Sequence, residues 1–356
     1  MQSLASHGLV LGTFMPFHKG HEMLIRFASE YLQLKKPDEK SYLLVIISSR
    51  EQEPITGDMR YDSILDEFIH HPQIVIHHHD DSDAPQNPKG DNDDDFWKYW
   101  VGVVEEAARK IPVVGKIDYV FSSENYGNKM AEVLSAEHVT FDKERHTSPI
   151  SGTKIRNEPF RYANYINRHL RSRLVKNFVM FGAESVGKST FTKILGKSFY
   201  GLTLQEYARP FLMSKVDKSP SIENMKEIFI GQKAYETASL KTDIGQIVNF
   251  LDTDIMSTVG YAELIGMDYT MFDWATHVDS SKHYFILSQD DVPYEYDVLR
   301  YGNGIRETKD DFWINLLERF NLPYTVIEGK TIEDRQHIME DVVHNIVNKQ
   351  FSFIRE

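Results

Sequence analysis

Twice along this chain a short apolar strand runs into a glycine-bearing turn and then into an amphipathic helix. The first instance is the strand Gly8–Gly12 with a helix from about Gly20 to Leu34. The second is Asn177–Phe181 with a helix from Gly187 to about Leu195. This feature constrains the fold more than any other. A strand that feeds a helix so closely opens a parallel sheet, because parallel neighbours need a crossover, and ligands then sit at the carboxyl end of that strand. Two openings in 356 residues, at roughly 100–200 residues per domain, predict an α/β chain with two doubly wound parallel-sheet domains. Further strands are expected at Tyr42–Ser48, Ile74–His77, Tyr119–Ser122 and Val139–Phe141, then at Thr203–Leu204, Ile247–Leu251, His283–Leu287 and Tyr324–Ile327.

The domains are expected at 1–165 and 166–356. The boundary falls in the basic, amphipathic stretch Arg161–Lys176, which carries Arg168, Arg171, Arg173 and Lys176. That stretch reads as a solvated linking helix in preference to a nucleic-acid contact. Segment Ile76–Trp97, with its run of histidines and aspartates, reads as a mobile loop, since its spacing fits no standard metal site.

Charge and composition exclude several classes. With 40 basic against 53 acidic side chains the net charge is −13, so a broad DNA-binding face and a nucleic-acid partner are not expected. A single phosphate needs only a few local donors and is not excluded. There are no cysteines, which removes disulfides, thiolate zinc sites and cysteine nucleophiles, and fits a reducing cytoplasm. No apolar run approaches the roughly 20 residues of a membrane span. The start MQSLASHGLVLGTF lacks the features of a signal peptide. The chain reads as cytoplasmic, without a membrane partner and compatible with a homo-oligomer.

The first turn reads G-x-F-x-P-x-H-x-G-H, through Gly12, Phe14, Pro16, His18, Gly20 and His21. Gly12 lets the backbone turn sharply and approach a ligand. Gly20 and His21 open a helix whose free N–H groups and dipole favour anions. His18 and His21, three residues apart, can face one phosphate and donate to charge that builds on a phosphorus in transfer. Late in the same domain lies Ile150–Arg156, ISGTKIR. Ser151 and Thr153 offer phosphate donors, Ser151 also reads as a helix N-cap, and Arg156 can clamp phosphate oxygens.

The second turn, Gly182 to Ser189, reads GAESVGKS, a phosphate-binding loop. Backbone N–H groups between Gly182 and Gly187 cradle a β-phosphate, Lys188 reaches the β- and γ-phosphates, and Ser189, followed by Thr190, holds Mg²⁺. The apolar strand that ends in LDTD places Asp252 beside that ion, with Asp254 following. Between them, Glu206-Tyr207-Ala208-Arg209 puts Glu206 where an acceptor hydroxyl's proton goes, and Arg209 near substrate or phosphate. Arg300 and Arg306 are both candidates for a lid arginine, with Asp297 for a ribose hydroxyl, and sequence does not choose between the arginines.

The first pair of motifs resembles the HxGH adenylyl- and cytidylyltransferases, a Rossmann-like superfamily that joins a nucleotide to a phosphate and releases pyrophosphate. An HxGH transferase joined to a P-loop kinase is similar to the bifunctional NadR family. The motifs GTFMPFHKGH, VFSSENYG, ISGTKIR, GAESVGKST, EYAR and LDTD follow in the order expected of it. The resemblance implies nicotinamide-nucleotide adenylyltransferase and ribosylnicotinamide kinase activities, ATP and Mg²⁺ as cofactors, NAD as product, and nicotinamide mononucleotide and ribosylnicotinamide as substrates. It also implies that Thr13 and Phe14 belong to the nucleotide site and that VFSSENYG lies at the adenine or ribose side. Trp97 and Trp100 resemble the aromatic pair at the nicotinamide end, and they read equally as core tryptophans.

Two departures stand out. The family's D-G-L-R lid appears as Asp297-Val298-Leu299-Arg300. With about seven residues before the first strand, the helix-turn-helix of some members is expected to be absent, and operator binding with it. The alternative function is an adenylyltransferase for another phosphate acceptor, such as phosphopantetheine, with the P-loop half a nucleotide-binding regulatory module.

Overall fold

The structure, a computed structural model, describes residues 5–35, 40–85, 94–216, 221–267, 278–290, 292–295 and 309–352. The chain divides into two compact units, Met1–Arg173 with Asn348–Glu356, and Leu174–Val347. Each contains one five-stranded parallel sheet.

In the first unit the strands are β1 (Ala5–Gly12), β2 (Leu43–Ser49), β3 (Ile74–Asp80), β4 (Gly115–Ser122) and β5 (Glu137–Thr140), in the order β3-β2-β1-β4-β5. The helices are α1 (Lys19–Lys35), α2 (Gly57–Phe68), α3 (Asp94–Ala108), α4 (Tyr126–Leu134), α5 (Gly152–Asn157), α6 (Pro159–Tyr162) and α7 (Arg168–Leu174). The chain winds outward from β1 to β3 and then returns to β4. The carboxyl ends of β1 and β4 therefore flank the crevice where such sheets take ligands. Every residue of β2 is buried, as expected of a parallel strand covered on both faces. On one face Leu9, Leu44, Ile46 and Val120 pack with Trp97, Trp100 and Val104 of α3 and Met130 of α4.

Two local findings differ from the sequence reading. Strand β3 runs on to Asp80, so His77, His78 and His79 are strand residues in register with Ile46, Ile47 and Ser48. The strand tolerates them because their rings find partners: His78 Nε2 meets Ser49 Oγ at 2.6 Å and His79 Nε2 meets Tyr99 Oη at 2.7 Å. Among the described residues no group of three or more His, Asp or Glu side chains could hold a metal ion. Residues 166–173, placed with the second half on sequence, lie in the first unit. The Asn167 N–H donates to the Phe17 carbonyl at 3.0 Å and its side-chain amide to Glu67 at 3.0 Å. Arg171, only 7% exposed, donates to the carbonyls of Ala163 and Ile166, and Arg173 pairs with Asp66 at 3.0 Å. The basic stretch is thus fastened to α1 and α2.

In the second unit the strands are β6 (Lys176–Phe181), β7 (Leu202–Leu204), β8 (Val248–Asp252), β9 (His283–Leu287) and β10 (Tyr324–Ile327), in the order β10-β9-β6-β8-β7. The helices are α8 (Lys188–Ser198), α9 (Ala208–Met213), α10 (Ile222–Leu240), α11 (Ile255–Leu264), α12 (Asp310–Arg319) and α13 (Ile332–Asn348). Phe178 stacks on Phe250 and Phe285 of the two neighbouring strands, with ring centroids 5.6 and 5.5 Å apart, a cross-strand ladder that helps fix the register. Fully buried Trp313 of α12 packs edge-on against Phe181. Among the described residues no helix is long and apolar enough to cross a membrane.

Candidate functional site

In the first unit a cavity of about 540 Å³ opens at the carboxyl ends of β1 and β4. It brings together Gly12, Thr13, Phe14, His18, Gly20 and His21 of the first motif with Ser151, Thr153 and Arg156 of the second, and with Trp97. The SSENYG segment contributes Ser122, Ser123, Glu124 and Tyr126.

The two histidines lie face to face, ring centroids 3.7 Å apart. The Gly20 N–H donates to His18 Nδ1 at 3.1 Å, so the neutral imidazole carries its proton on Nε2 and can donate from there. His18 is 4% exposed, and burial, reinforced by the charge of Arg145, lowers its pKa to about 3. His21 is likewise pushed well below the usual range, by burial first and then by the nearby His18 and Arg145. Its Nδ1 is buried without a hydrogen-bond partner among the described residues, and Phe14 meets its ring edge-on at 5.0 Å. An unmatched polar atom on a cavity wall is a place where a ligand group would satisfy the protein. An entering anion would also favour the imidazolium forms that burial disfavours.

The second motif closes the cavity as a helix start. Ser151 is the N-cap of α5, accepting the Lys154 N–H at 3.2 Å. Arg156 donates to the Met15 carbonyl and to Thr153 Oγ1. Gly152 has a steric reason: a Cβ there would lie 2.6 Å from the Met15 carbonyl oxygen and 3.1 Å from the Arg156 guanidinium. Trp97 is 7% exposed in the apolar core and also lines the cavity, where its indole Nε1 is buried without a hydrogen-bond partner among the described residues.

Sequence reasoning missed two arginines here. Arg145 lines the cavity and donates to the Ile150 carbonyl, in a loop that Asp142 folds by accepting the N–H groups of Thr147 and Ser148, both at 2.9 Å. Arg60 on α2 is fully buried and donates to the Thr13 and Ser48 carbonyls and to the Glu53 carboxylate, so it holds the first loop from behind. No signal in the sequence separates either from a surface arginine.

In the second unit the glycine-rich loop leaves β6 and enters α8. Gly182 and Gly187 take φ values of +118° and +97°, a region that side chains resist. At Gly182 a Cβ would in addition crowd the Leu287 carbonyl at 3.1 Å. Lys188 folds back on its own loop and donates to the carbonyls of Gly182 and Ala183 at 3.0 and 2.7 Å. Asp252, 3% exposed at the end of β8, is raised in pKa by burial, and the Ser189 hydroxyl bonds to it with the charges of Lys188 and Arg209 close by. Ser189 and Thr190 are exposed at the start of α8. Glu206 lies two residues beyond the end of β7, and Arg209 sits in the first turn of α9. Asp254 goes elsewhere: it caps α11 by accepting the Met256 N–H at 2.9 Å. Asp297, Arg300 and Arg306 lie outside the described residues.

Comparison with known proteins gives a consistent result. An AAA domain family model matches residues 177–335. The trifunctional NAD biosynthesis/regulator protein NadR of Escherichia coli (strain K12) is 25% identical over 353 residues, covering 96% of this chain and 84% of its own length. Its counterpart from Salmonella typhimurium is 24% identical over 354 residues, with the same coverages. Among solved structures, a NadR protein in complex with NR aligns over 100% of this chain and 99% of its own, with a TM-score of 0.61 and 19% identity. A NadR protein in complex with NAD and AMP-PNP aligns over 100% of both chains, with a TM-score of 0.60 and 20% identity. The chain is homologous to NadR over nearly its whole length.

Proposed function

We propose that this NadR homologue makes NAD in two steps. The second unit phosphorylates ribosylnicotinamide to nicotinamide mononucleotide, and the first joins that nucleotide to the adenylyl group of ATP. The observation that carries this reading is the meeting of Gly12–His21 with Ser151–Arg156, far apart in sequence, on one cavity at the sheet's carboxyl edge.

In the transferase step a phosphate oxygen of nicotinamide mononucleotide attacks the α-phosphorus of ATP. The bond from that phosphorus to the bridging oxygen breaks, and pyrophosphate leaves with the electron pair. The attacking group is already an anion, so no strong base is required. His18, His21 and Arg156 stabilise charge on the phosphorus in transit and on the leaving group, and Gly12, Thr13, Phe14, Gly20, Ser151 and Thr153 shape the phosphate cradle. Trp97 offers an aromatic face to the cationic pyridinium.

In the kinase step the ribose 5′-hydroxyl attacks the γ-phosphorus of a second ATP and ADP leaves. Glu206 accepts the hydroxyl proton. Lys188 exchanges its loop carbonyls for β- and γ-phosphate oxygens, with Thr190 and Arg209 nearby. Ser189 and Asp252, a hydroxyl and a carboxylate already in contact, are hard oxygen ligands that suit Mg²⁺ and would hold it. When bound, the ion neutralises phosphate charge. The enzyme uses ATP and works in the cytoplasm.

The test is separation of the two activities in one chain. His21→Ala is expected to lower adenylyl transfer about 10²–10³-fold and spare phosphorylation, and Lys188→Ala to do the reverse. Loss of both activities in either folded variant would contradict separate sites. Assay with other phosphate acceptors, phosphopantetheine included, with pyrophosphate as the readout, checks the acceptor; pyrophosphate formed faster with one of them would overturn it.

A further inference from the structure

The second unit buries a polar chain that the two reactions above do not use. On α10, Gln232 is 2% exposed, and its Oε1 accepts the backbone N–H of Tyr207 at 2.9 Å. Its Nε2 donates to Glu236 Oε1 at 3.0 Å. Lys282, 3% exposed, donates to Glu236 Oε2 at 2.7 Å and to Asp254 Oδ2 at 2.9 Å. Tyr284 Oη donates to the same Asp254 oxygen at 2.7 Å. Asp254 lies two residues beyond Asp252, and Tyr207 stands between Glu206 and Arg209.

Two independent contacts tie Tyr207 to α10. Besides the bond to Gln232, its ring covers Gly231 so closely that a Cβ there would lie 2.0 Å from ring carbon Cε1. Desolvating a lysine and two carboxylates costs several kcal/mol per ion, and a packed apolar cluster would often serve stability as well. What the polar chain adds is direction. Each member has a fixed partner, so the position of the Tyr207 backbone is set by side chains that also set the end of β8.

We infer that Gln232 is a positioning residue for phosphoryl transfer. Through Glu236, Lys282 and Asp254 it locks the segment bearing Glu206 and Arg209 to the strand end bearing Asp252, so that proton acceptor and metal site keep a common register. The inference rests on the kinase reading above. Gln232 touches neither nucleotide nor acceptor; it acts through the Tyr207 N–H.

The test uses the full chain and Gln232→Met, which keeps the side-chain length and removes both hydrogen bonds, with Gln232→Asn as a gentler withdrawal of the acceptor. The kcat for ribosylnicotinamide phosphorylation is expected to fall about 10–100-fold in Gln232→Met, with the KM for ATP within about twofold, because the phosphate loop is untouched. Adenylyl transfer on the same chain should not change. Hydrogen exchange should quicken at the Tyr207 amide and not in α8. A kcat within about twofold of the parent in both variants overturns the inference. So does a fall in kcat matched by a rising KM for ATP and faster exchange in α8, since that is general loosening. If the parent chain does not phosphorylate ribosylnicotinamide, the kinase reading fails. The exchange result then decides alone, an unchanged Tyr207 amide refuting the coupling.

Discussion

Acid should weaken the first unit through His18, and by an amount that can be worked out. Burial and the charge of Arg145 lower its folded-state pKa to about 3, against 6.5 for an unperturbed imidazole. The folded group stays neutral across that interval while the unfolded one takes up a proton. The unfolded state therefore binds more protons there, and stability must rise with pH. The contribution is fully present above 6.5 and is lost as pH falls from 6.5 toward 3. Between about pH 7 and about pH 5 the loss due to this one residue is about 2 kcal/mol. Because the two units need not unfold together, the assay is urea unfolding at both pH values read by pulsed hydrogen exchange on β1 peptides. His18→Gln keeps an acceptor for the Gly20 N–H and does not titrate. It should lose about 2 kcal/mol less than the parent over the same interval. Equal losses within about 0.5 kcal/mol would mean that the native imidazole is not held neutral, and the argument from burial would be wrong.

Two further outcomes are expected of the same cavity. Pyrophosphate binding near pH 6 should take up protons, because an anion beside His18 and His21 raises pKa values that burial has lowered; calorimetry in buffers of different ionisation enthalpy measures this, and no buffer dependence would count against it. Gly152→Ala should cut adenylyl transfer by about tenfold or more while phosphorylation is spared, since the new Cβ must displace either the Met15 carbonyl or the Arg156 guanidinium; unaltered transfer kinetics would show that the loop has slack.

What the sequence made legible was the part of each site built from main chain. A phosphate cradle uses backbone N–H groups, and the backbone at Gly182 and Gly187 occupies φ values that restrict residue choice, so chemistry and spelling coincide. Central strands such as β2 and β9 were visible for a similar reason: parallel strands covered on both faces need nearly unbroken runs of apolar residues, whereas the edge strand β5, EHVT, is exposed at both ends. The histidines of β3 escaped that rule because Ser49 and Tyr99 satisfy them, and those partners are remote in sequence. The same remoteness hid Arg60 and Gln232, whose partners Thr13 and Tyr207 lie 47 and 25 residues away, while Arg145 reaches only to Ile150 in its own loop. Each works by donating to or accepting from a backbone group elsewhere, and a residue that reads out main-chain position leaves no motif. Arg60 and Arg156 make the point together. Their guanidiniums grip the carbonyls of Thr13 and Met15, on either side of Phe14, whose φ is +50°. A non-glycine residue in that conformation needs its neighbours to over-determine it. The loop from Gly12 to His21 therefore reads on sequence as a self-sufficient motif, yet its shape is held by two arginines that α2 and α5 supply.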